Sequence, residues 1–379
     1  MIIQRDIYIE IAPVLPSPEA IIITGMRRVG KTTLLKYIYD QIDSTNKLYL
    51  DLENPRNQTY FQEVDYDAIK RNLELLGLQK TGRAYVFLDE IQWVKQLPSI
   101  VKFVLSGSSS FYLKNQFSES LAGRKYIFEL YPLTFREFLR MKQAPVNEET
   151  STQTSLAFYN TYKTYVNEYL QYGGFPGVVL KTTESEKQAA LDDIFTSYYQ
   201  LEVVQLSDFR KSHKIRDLLF LLMGRVGSRL DIQKLANALG ITRVTVNEYL
   251  AFLEGTYFIK VVTPYTTNKD VEIRKASKLY VCDTGLIRRF AQVDEGALFE
   301  NAVYWNLHNK GTVQYYQRKT GVEIDFILNQ QQAYEVKLHP EKGDITKLQA
   351  LGKDIGIGKT NIVGREYAPI QNVVYLFNL

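Results

Sequence analysis

The chain has 379 residues, 45% hydrophobic and 23% charged, with a formal net charge of +4, the balance of a soluble globular protein too long for a single core and expected to divide into roughly two to four domains. Its longest apolar run, LLFLLMG from Leu218, is too short to span a bilayer, and Arg5, Asp6 and Glu10 in the first ten residues exclude the pattern of a secretory leader. A lone cysteine, Cys282, excludes disulfides within the chain and fits a reducing cytoplasm, while His213, His308 and His339 are too scattered for a zinc site.

Residues 21–24 read as a buried parallel strand that runs into Gly25, four further residues, then Gly30, Lys31 and Thr32, with a helix from Lys31 through Leu35. This is the P-loop pattern. The chemistry explains the spacing: the glycines let the backbone of Met26, Arg27, Arg28 and Val29 curl its N–H groups round phosphates. Lys31 reaches the β and γ oxygens, the Thr32 hydroxyl binds Mg²⁺, and the first helical turn, with Thr33, adds the positive end of its dipole. The span 25–33 is therefore the expected site for ATP and Mg²⁺.

One strand further on (KLYLDLEN, 47–54), the apolar run 84–88 delivers Asp89 and Glu90 to a strand end in RAYVFLDEIQ. Behind a P-loop, Asp89 is expected to hold the magnesium through water and Glu90 to orient and polarise a water for attack on the γ-phosphate. The next strand, VKFVLSGSSS, ends in Ser106, Gly107, Ser108, Ser109 and Ser110. A polar side chain there, with Ser108 as the candidate, can sense the γ-phosphate or fix the attacking water. Arg124 lies on a glycine-containing turn before an apolar strand over 126–130 and fits two readings. One is a finger that neutralises transition-state charge, in cis or between subunits of a homo-oligomer; the other is a surface arginine.

Residues 142–155 are polar and read as a solvated loop or insertion. Helical spacing then places Tyr162, Tyr165, Tyr169 and Leu170 on one side, a core stripe, before Gly173 and Gly174 end the helix. A further helix runs over 185–207. From Lys214 three helices are expected, with Asp231 and Thr242 as N-caps, Gly240 ending the middle one, and Val246, Leu250 and Leu253 forming one apolar face of the last. The strand YFIKVVTPY, the turn TTNKD and the strand KLYVCD complete a winged-helix pattern in which Arg243, Thr245 and Asn247 face outward. Over residues 211–290, 14 Lys and Arg stand against 7 Asp and Glu. Such a basic module in a slightly acidic remainder is the footprint of phosphate contact and makes DNA a candidate partner. Winged helices also serve in protein packing, and Glu248 on the same helix would repel phosphate.

Beyond Phe290, GALFENAVYWNLHN is a helix carrying Glu300. Two strands follow, the first ending near Asp325 and the second carrying Glu335 and Lys337, with NQQQ as their turn. Strands so joined bring Asp325 and Glu335 together, where two carboxylates can share Mg²⁺ or Mn²⁺, and alternation puts Lys337 on the face of Glu335. Lys337 could then orient a water whose pKa the metal lowers, with Glu300 assisting, in phosphodiester hydrolysis. The competing reading is a solvated strand face; the basic pair Arg318 and Lys319 upstream adds weight to the first.

With TGMRRVGKTTLL, FLDEIQ, LSGSSS, LAGR, GGFPGV and EIDFIL…YEVK in this order, the chain resembles a family of bacterial and archaeal ATP-binding proteins. These combine an AAA-like P-loop ATPase, a winged helix and a C-terminal domain similar to restriction-endonuclease-type nucleases. The resemblance implies an α/β fold: a parallel P-loop sheet sandwiched by helices, then a helical segment, a winged helix and a small α/β nuclease-like domain. It also implies that residues 106–109 supply the sensor, that Arg124 is the finger and that Asp325, Glu335 and Lys337 match the nuclease motif. The expected boundaries are 1–135, 136–212 (lid-like), 213–290 and 291–379. One departure stands out: where such proteins carry a basic residue followed by Asp-Ile, this chain has Leu201, Glu202 and Val203. The expected function is an ATPase, with no membrane partner, that couples nucleotide state to DNA engagement. The alternative is a nucleotide-dependent signalling or protein-interaction switch whose nuclease-like domain does not cleave.

Overall fold

Five apolar runs form the strands β1 (Ala20–Thr24), β2 (Lys47–Asp51), β3 (Tyr85–Asp89), β4 (Lys102–Gly107) and β5 (Lys125–Glu129). In the computed structural model they pair in the order β2-β3-β4-β1-β5, with every neighbouring pair parallel. The structure describes residues 3–62, 65–94, 97, 101–107, 123–145, 154–205, 212–266, 276–318 and 320–379. The strands β1 and β4 are buried along their whole length, which a parallel sheet covered on both faces requires. Ile22, Val86, Leu88 and Leu105 pack in one core with Ile69 and Leu73 of the helix Tyr66–Leu75. The helix Lys31–Gln41 buries Leu34, Leu35 and Ile38, and its Tyr39 ring meets Phe87 edge-on at 5.2 Å. Two expected boundaries shift: β5 starts and ends one residue earlier than 126–130, and β4 takes Ser106 and Gly107 into its ladder, opposite Ile23 and Thr24.

The chain divides into two units, Met1–Tyr131 with Gly255–Tyr257, and Pro132–Glu254 with Phe258–Leu379. In the second, the helix Leu156–Tyr172 buries Tyr159, Tyr162, Val166, Tyr169 and Leu170. Tyr165 is only half-buried, because the i, i+3, i+4, i+7 rhythm runs from Tyr159. Of the expected polar loop, residues 146–153 lie outside the described residues. The helix Glu184–Tyr198 passes into a π-helical stretch, Tyr199–Gln205, where Glu202 is buried. The helices Ser212–Met223, Ile232–Leu239 and Arg243–Gly255 lead to an antiparallel pair, β6 (Ile259–Val262) and β7 (Lys278–Val281). Most of the turn TTNKD lies outside the described residues. After the helices Thr284–Phe290 and Glu295–His308 comes a mixed sheet, β8 (Val313–Gln317), β9 (Glu323–Leu328), β10 (Gln332–Lys337), β11 (Lys359–Gly364) and β12 (Val373–Val374). Its order is β12-β11-β10-β9-β8. The β8–β9 and β9–β10 pairs are antiparallel, while β10–β11 is parallel and crosses over through the helix Lys342–Asp354.

One interlock in the second unit joins two distant sequence marks. The buried Asp283 carboxylate accepts the Gly174 N–H at 2.7 Å and caps the helix Thr284–Phe290 through Leu286 N at 3.2 Å. A Cβ at Gly173 would fall 2.0 Å from Asp283 Oδ1, and one at Gly174 2.4 Å from the Leu133 carbonyl, so both glycines are there for close approach. Burial raises the Asp283 pKa to about 6 against the pull of three backbone N–H groups, above an unfolded value of about 3.9. The stability Asp283 contributes is therefore full below about pH 4 and declines by up to about 3 kcal/mol as pH rises to about 6. Asp283→Asn is expected to remove this slope, read from denaturant unfolding of both proteins between pH 4 and 7. A wild-type slope equal to that of the variant would show that Asp283 stays ionised throughout.

Candidate nucleotide site and a second carboxylate cluster

The P-loop lies at the carboxyl end of β1, where ligands bind in open parallel sheets. A Cβ at Gly25 would sit 2.1 Å from the Leu130 carbonyl oxygen, so only glycine lets the loop leave β1 beside the end of β5. Arg28 and Gly30 take positive φ, 69° and 99°, and the helix Lys31–Gln41 opens on Gly30 with no capping side chain, an arrangement suited to an anion at its first turn. Lys31 is buried, and its Nζ donates to the carbonyls of Gly25 and Met26, both at 3.0 Å. Thr32 and Thr33 are exposed. Sequence reasoning missed Arg5, whose buried guanidinium donates to Val29 O at 2.9 Å and Tyr131 O at 2.8 Å and so holds the loop from behind. Nothing local in its sequence marks that role.

Asp89 ends β3 as a buried carboxylate. Tyr49 of β2 donates to its Oδ2 at 3.1 Å, and the Ser106 hydroxyl from β4 holds Oδ1. Burial, followed by the Asp89 charge, raises the Tyr49 pKa well above its usual value, so the phenol stays a donor. Ser106, expected in the sensor group, is thus engaged in orienting Asp89; Ser108, Ser109 and Ser110 lie outside the described residues. The buried Asp89 carboxylate and the exposed Thr32 hydroxyl suit the Mg²⁺ that accompanies a nucleotide. Glu90 has φ 56° and ψ 54°, a left-handed conformation that costs a non-glycine residue about 1–3 kcal/mol, and Gln92 Nε2 donates to its Oε2 at 2.5 Å.

Arg124 is exposed at the opposite end of the sheet. Its carbonyl accepts Ala20 N at 3.0 Å, and Ala20 pairs with Lys125, so the length of a five-residue strand, about 16 Å, separates Arg124 from Gly25. A finger acting in cis does not fit that register.

In the second unit, register places Tyr334 opposite Phe326 and so sets Glu335 beside Asp325, as expected. Asp325 lies mid-strand rather than at the strand end, because the ladder continues to Leu328. The turn is Asn329 and Gln330, with φ 50° and 57°, while Gln332 belongs to β10. Lys337 Nζ donates to Glu335 Oε1 at 2.9 Å, and Glu335 Oε2 is buried with no hydrogen-bond partner. Asp325 Oδ2 accepts Val336 N at 2.9 Å. Sequence reasoning also missed Lys278, at the start of β7. Its Nζ lies 3.2 Å from Glu300 Oε1, 3.3 Å from Glu323 Oε1 and 3.5 Å from Asp325 Oδ1, with the side chain 4% exposed. Glu300 Oε1 also accepts the Tyr280 hydroxyl at 2.7 Å.

Burial and then the Asp325 charge raise both Glu300 and Glu335 above the usual carboxylate range. Burial opposes the charge on Lys278, but Glu300, Asp325 and Glu323 together keep it protonated. As arranged, these residues do not fit a divalent ion: an ammonium already stands among the oxygens that would hold it, and no set of three metal-ligating residues is present among the described residues. Arg318, expected to strengthen a phosphodiester site, pairs instead with Asp354 at 2.6 Å, and Lys319 lies outside the described residues.

The three-helix segment behaves as its caps require. Asp231 accepts Lys234 N at 3.0 Å, Thr242 accepts Thr245 N at 3.1 Å, and Gly240 takes φ 64°. Arg243, Asn247 and Glu248 are exposed; Thr245 is half-buried, with its hydroxyl 2.9 Å from that of Thr242.

Fold and loop together define an α/β P-loop domain of AAA-like architecture, followed by a helical region and a mixed C-terminal sheet. Residues 17–139 match a family model described as an AAA domain, which implies a P-loop ATPase using ATP and Mg²⁺, and residues 163–296 match one described as Domain of unknown function (DUF8612). The chain is similar to an uncharacterized protein of Methanocaldococcus jannaschii, 27% identical over 387 residues, covering 95% of this chain and 84% of that protein. It is also similar to an uncharacterized protein of Haemophilus influenzae, 29% identical over 329 residues, covering 81% and 78%. Among solved structures it is similar to the Aeropyrum pernix ORC2 protein in its ADP form, at 12% identity and a TM-score of 0.32, covering 67% of this chain and 84% of that one. No helix among the described residues is long and apolar enough to cross a membrane.

Proposed function

We propose that the protein hydrolyses ATP and that its nucleotide state governs engagement of DNA. The observation that carries the hydrolytic part is the meeting, at one end of a single sheet, of the P-loop after β1 with the buried Asp89 and the adjacent Glu90 at the end of β3. In this reading the backbone of 25–33 and Lys31 hold the phosphates, while Thr32 directly and Asp89 through water would hold Mg²⁺, which neutralises phosphate charge when bound. Glu90 accepts the proton of the water that attacks the γ-phosphorus as the bond to the ADP oxygen breaks. Ser108 is the candidate for holding that water. Arg124 of a neighbouring copy neutralises the charge that builds on the transferred group, which makes the active form a homo-oligomer.

The DNA part is supported by the basic 211–290 segment with Arg243 and Asn247 exposed on the third helix of a winged-helix arrangement. The boundaries 1–135, 136–212, 213–290 and 291–379 then correspond to ATPase core, lid-like helices, winged helix and nuclease-like domain. The presence of Lys278 among the C-terminal carboxylates favours a second reading for the last domain, a non-cleaving module in a nucleotide-dependent switch.

The test measures ATP hydrolysis with and without duplex and single-stranded DNA, and duplex affinity across salt in ATP and in ADP, with Lys31→Ala as the control. Hydrolysis that depends on Lys31, changes several-fold with duplex, and accompanies an affinity falling steeply with salt is the expected result. Wild-type hydrolysis no higher than that of Lys31→Ala would overturn the ATPase reading. Hydrolysis indifferent to DNA, with no duplex binding, would overturn the DNA reading and leave the signalling switch.

A further inference from the structure

We propose that the Lys278 ammonium is the resident cation of the C-terminal carboxylate cluster, so that the nuclease-like site is closed to divalent metal ions while strand β7 is seated. The inference rests on reading Asp325, Glu335 and Lys337 as a nuclease-like arrangement. It explains why that arrangement, as folded, has no place for the ion.

A divalent cation held by carboxylates needs oxygens free to approach it at about 2.0–2.6 Å. Here the oxygens of Asp325 are taken by Val336 N–H and by Lys278, and Glu300 Oε1 is shared between Lys278 and the Tyr280 hydroxyl. Glu335 Oε1 is taken by Lys337, while Glu335 Oε2 is buried without a hydrogen-bond partner. An ion brought within bonding distance of Asp325 would lie beside a buried ammonium, and the two like charges would repel strongly away from water.

The lysine is also fixed from behind. The strand β7 that carries it is clamped to the helix carrying Glu300: Val281 N donates to Asn301 Oδ1 at 2.9 Å, and Val281 O accepts Asn301 Nδ2 at 3.0 Å and Trp305 Nε1 at 2.5 Å. Tyr280 stacks on Tyr304 of the same helix at 4.3 Å. Lys278 is thus delivered by a strand of one expected module into the carboxylates of the next. Opening the site requires the strand to shift or the lysine to be removed.

The experiment uses the full chain and Mn²⁺ alone as the probe, with binding read from the electron paramagnetic resonance of free Mn²⁺ and from the metal-induced shift in melting temperature. The P-loop contribution is set aside by carrying Lys31→Ala and Asp89→Asn in every protein compared. Wild type at position 278 and Lys278→Arg are expected to show no site below millimolar Mn²⁺. Lys278→Met is expected to gain one, at least tenfold tighter, that is lost again on adding Asp325→Asn. Because Lys278→Met leaves buried carboxylates without their cation and can fail to fold, Lys278→Met/Glu300→Gln, which removes one charge of each sign, is measured beside it. Mn²⁺ binding by the protein with Lys278 intact, abolished by Asp325→Asn, would overturn the closure while leaving the nuclease-like reading in place. Folded Lys278→Met/Glu300→Gln that binds no Mn²⁺ would overturn the nuclease-like reading itself.

Discussion

Glu90→Gln is expected to bind ATP with close to wild-type affinity and to hydrolyse it about 10²–10⁴-fold more slowly, the usual range for losing a positioned general base. The amide keeps the shape of the side chain and can still accept a hydrogen bond, but it cannot take the proton of the attacking water. The backbone gives a reason to assign this task to Glu90 and not to a neighbouring carboxylate. Asp89 is buried with both oxygens engaged, by Tyr49 and Ser106, which suits it to orienting a metal shell. Glu90 is held in a left-handed conformation, φ 56°, of the kind that is retained where side-chain direction matters more than local stability. Lys31→Ala should behave oppositely and lose affinity for ATP itself. Equilibrium binding of a fluorescent nucleotide, paired with single-turnover phosphate release, separates the two defects. Glu90→Gln hydrolysing at the wild-type rate would return Glu90 to a strand-end turn residue.

Arg124→Ala is expected to lose about 10³–10⁵-fold in hydrolysis rate, the effect of withdrawing an arginine finger, and to lose it in a way that reveals which copy supplies the residue. Since β1 and β5 run parallel with Ala20 opposite Lys125, Arg124 sits at the far end of the sheet from its own P-loop. Wild-type activity per molecule should therefore rise with protein concentration. Mixing Arg124→Ala copies, whose P-loops are intact, with Lys31→Ala copies, whose arginines are intact, should restore part of the rate that neither shows alone. If Arg124→Ala hydrolyses normally at every concentration, the residue is a surface arginine.

The features legible from the sequence are those whose cause is local. Gly25, Gly30, Lys31 and Thr32 announce a phosphate loop because the residues that make that pattern lie within one strand–turn–helix. Asp231, Gly240 and Thr242 announce helix ends for the same reason. That the apolar run 84–88 delivers Asp89 to a strand end was readable, but the side chains that support Asp89 were not. Tyr49 reaches Asp89 only because β2 pairs with β3 in register, Tyr49 against Phe87, and that pairing has no local signature. The Asp283–Gly174 bond spans 109 positions, and the lysine in the carboxylate cluster comes from a hairpin whose pattern spoke only of a wing. Charge counting misled in one place: Arg318 looked like an addition to a phosphodiester site, whereas Asp354 on the crossover helix takes it up.

The placement of β1 between β4 and β5 also bears on how the chain leaves the ribosome. Ile21 pairs with Val104 and Ala20 with Lys125, so both neighbours of the strand that carries the nucleotide loop are synthesised after it. At about 5–20 residues per second, the roughly 100 residues from β1 to β5 take about 5–20 s to make. Until β4 has been made, Ile21, Ile22 and Ile23, buried in the finished sheet, have no neighbouring strand of that sheet on either side, and until β5 follows they have one on a single side only. The nascent chain is then most exposed to wrong pairing and most in need of chaperones. A phosphate loop at the end of an unpaired strand is not yet shaped to hold a nucleotide, so the first ATP a new molecule binds reports that its N-terminal sheet has closed.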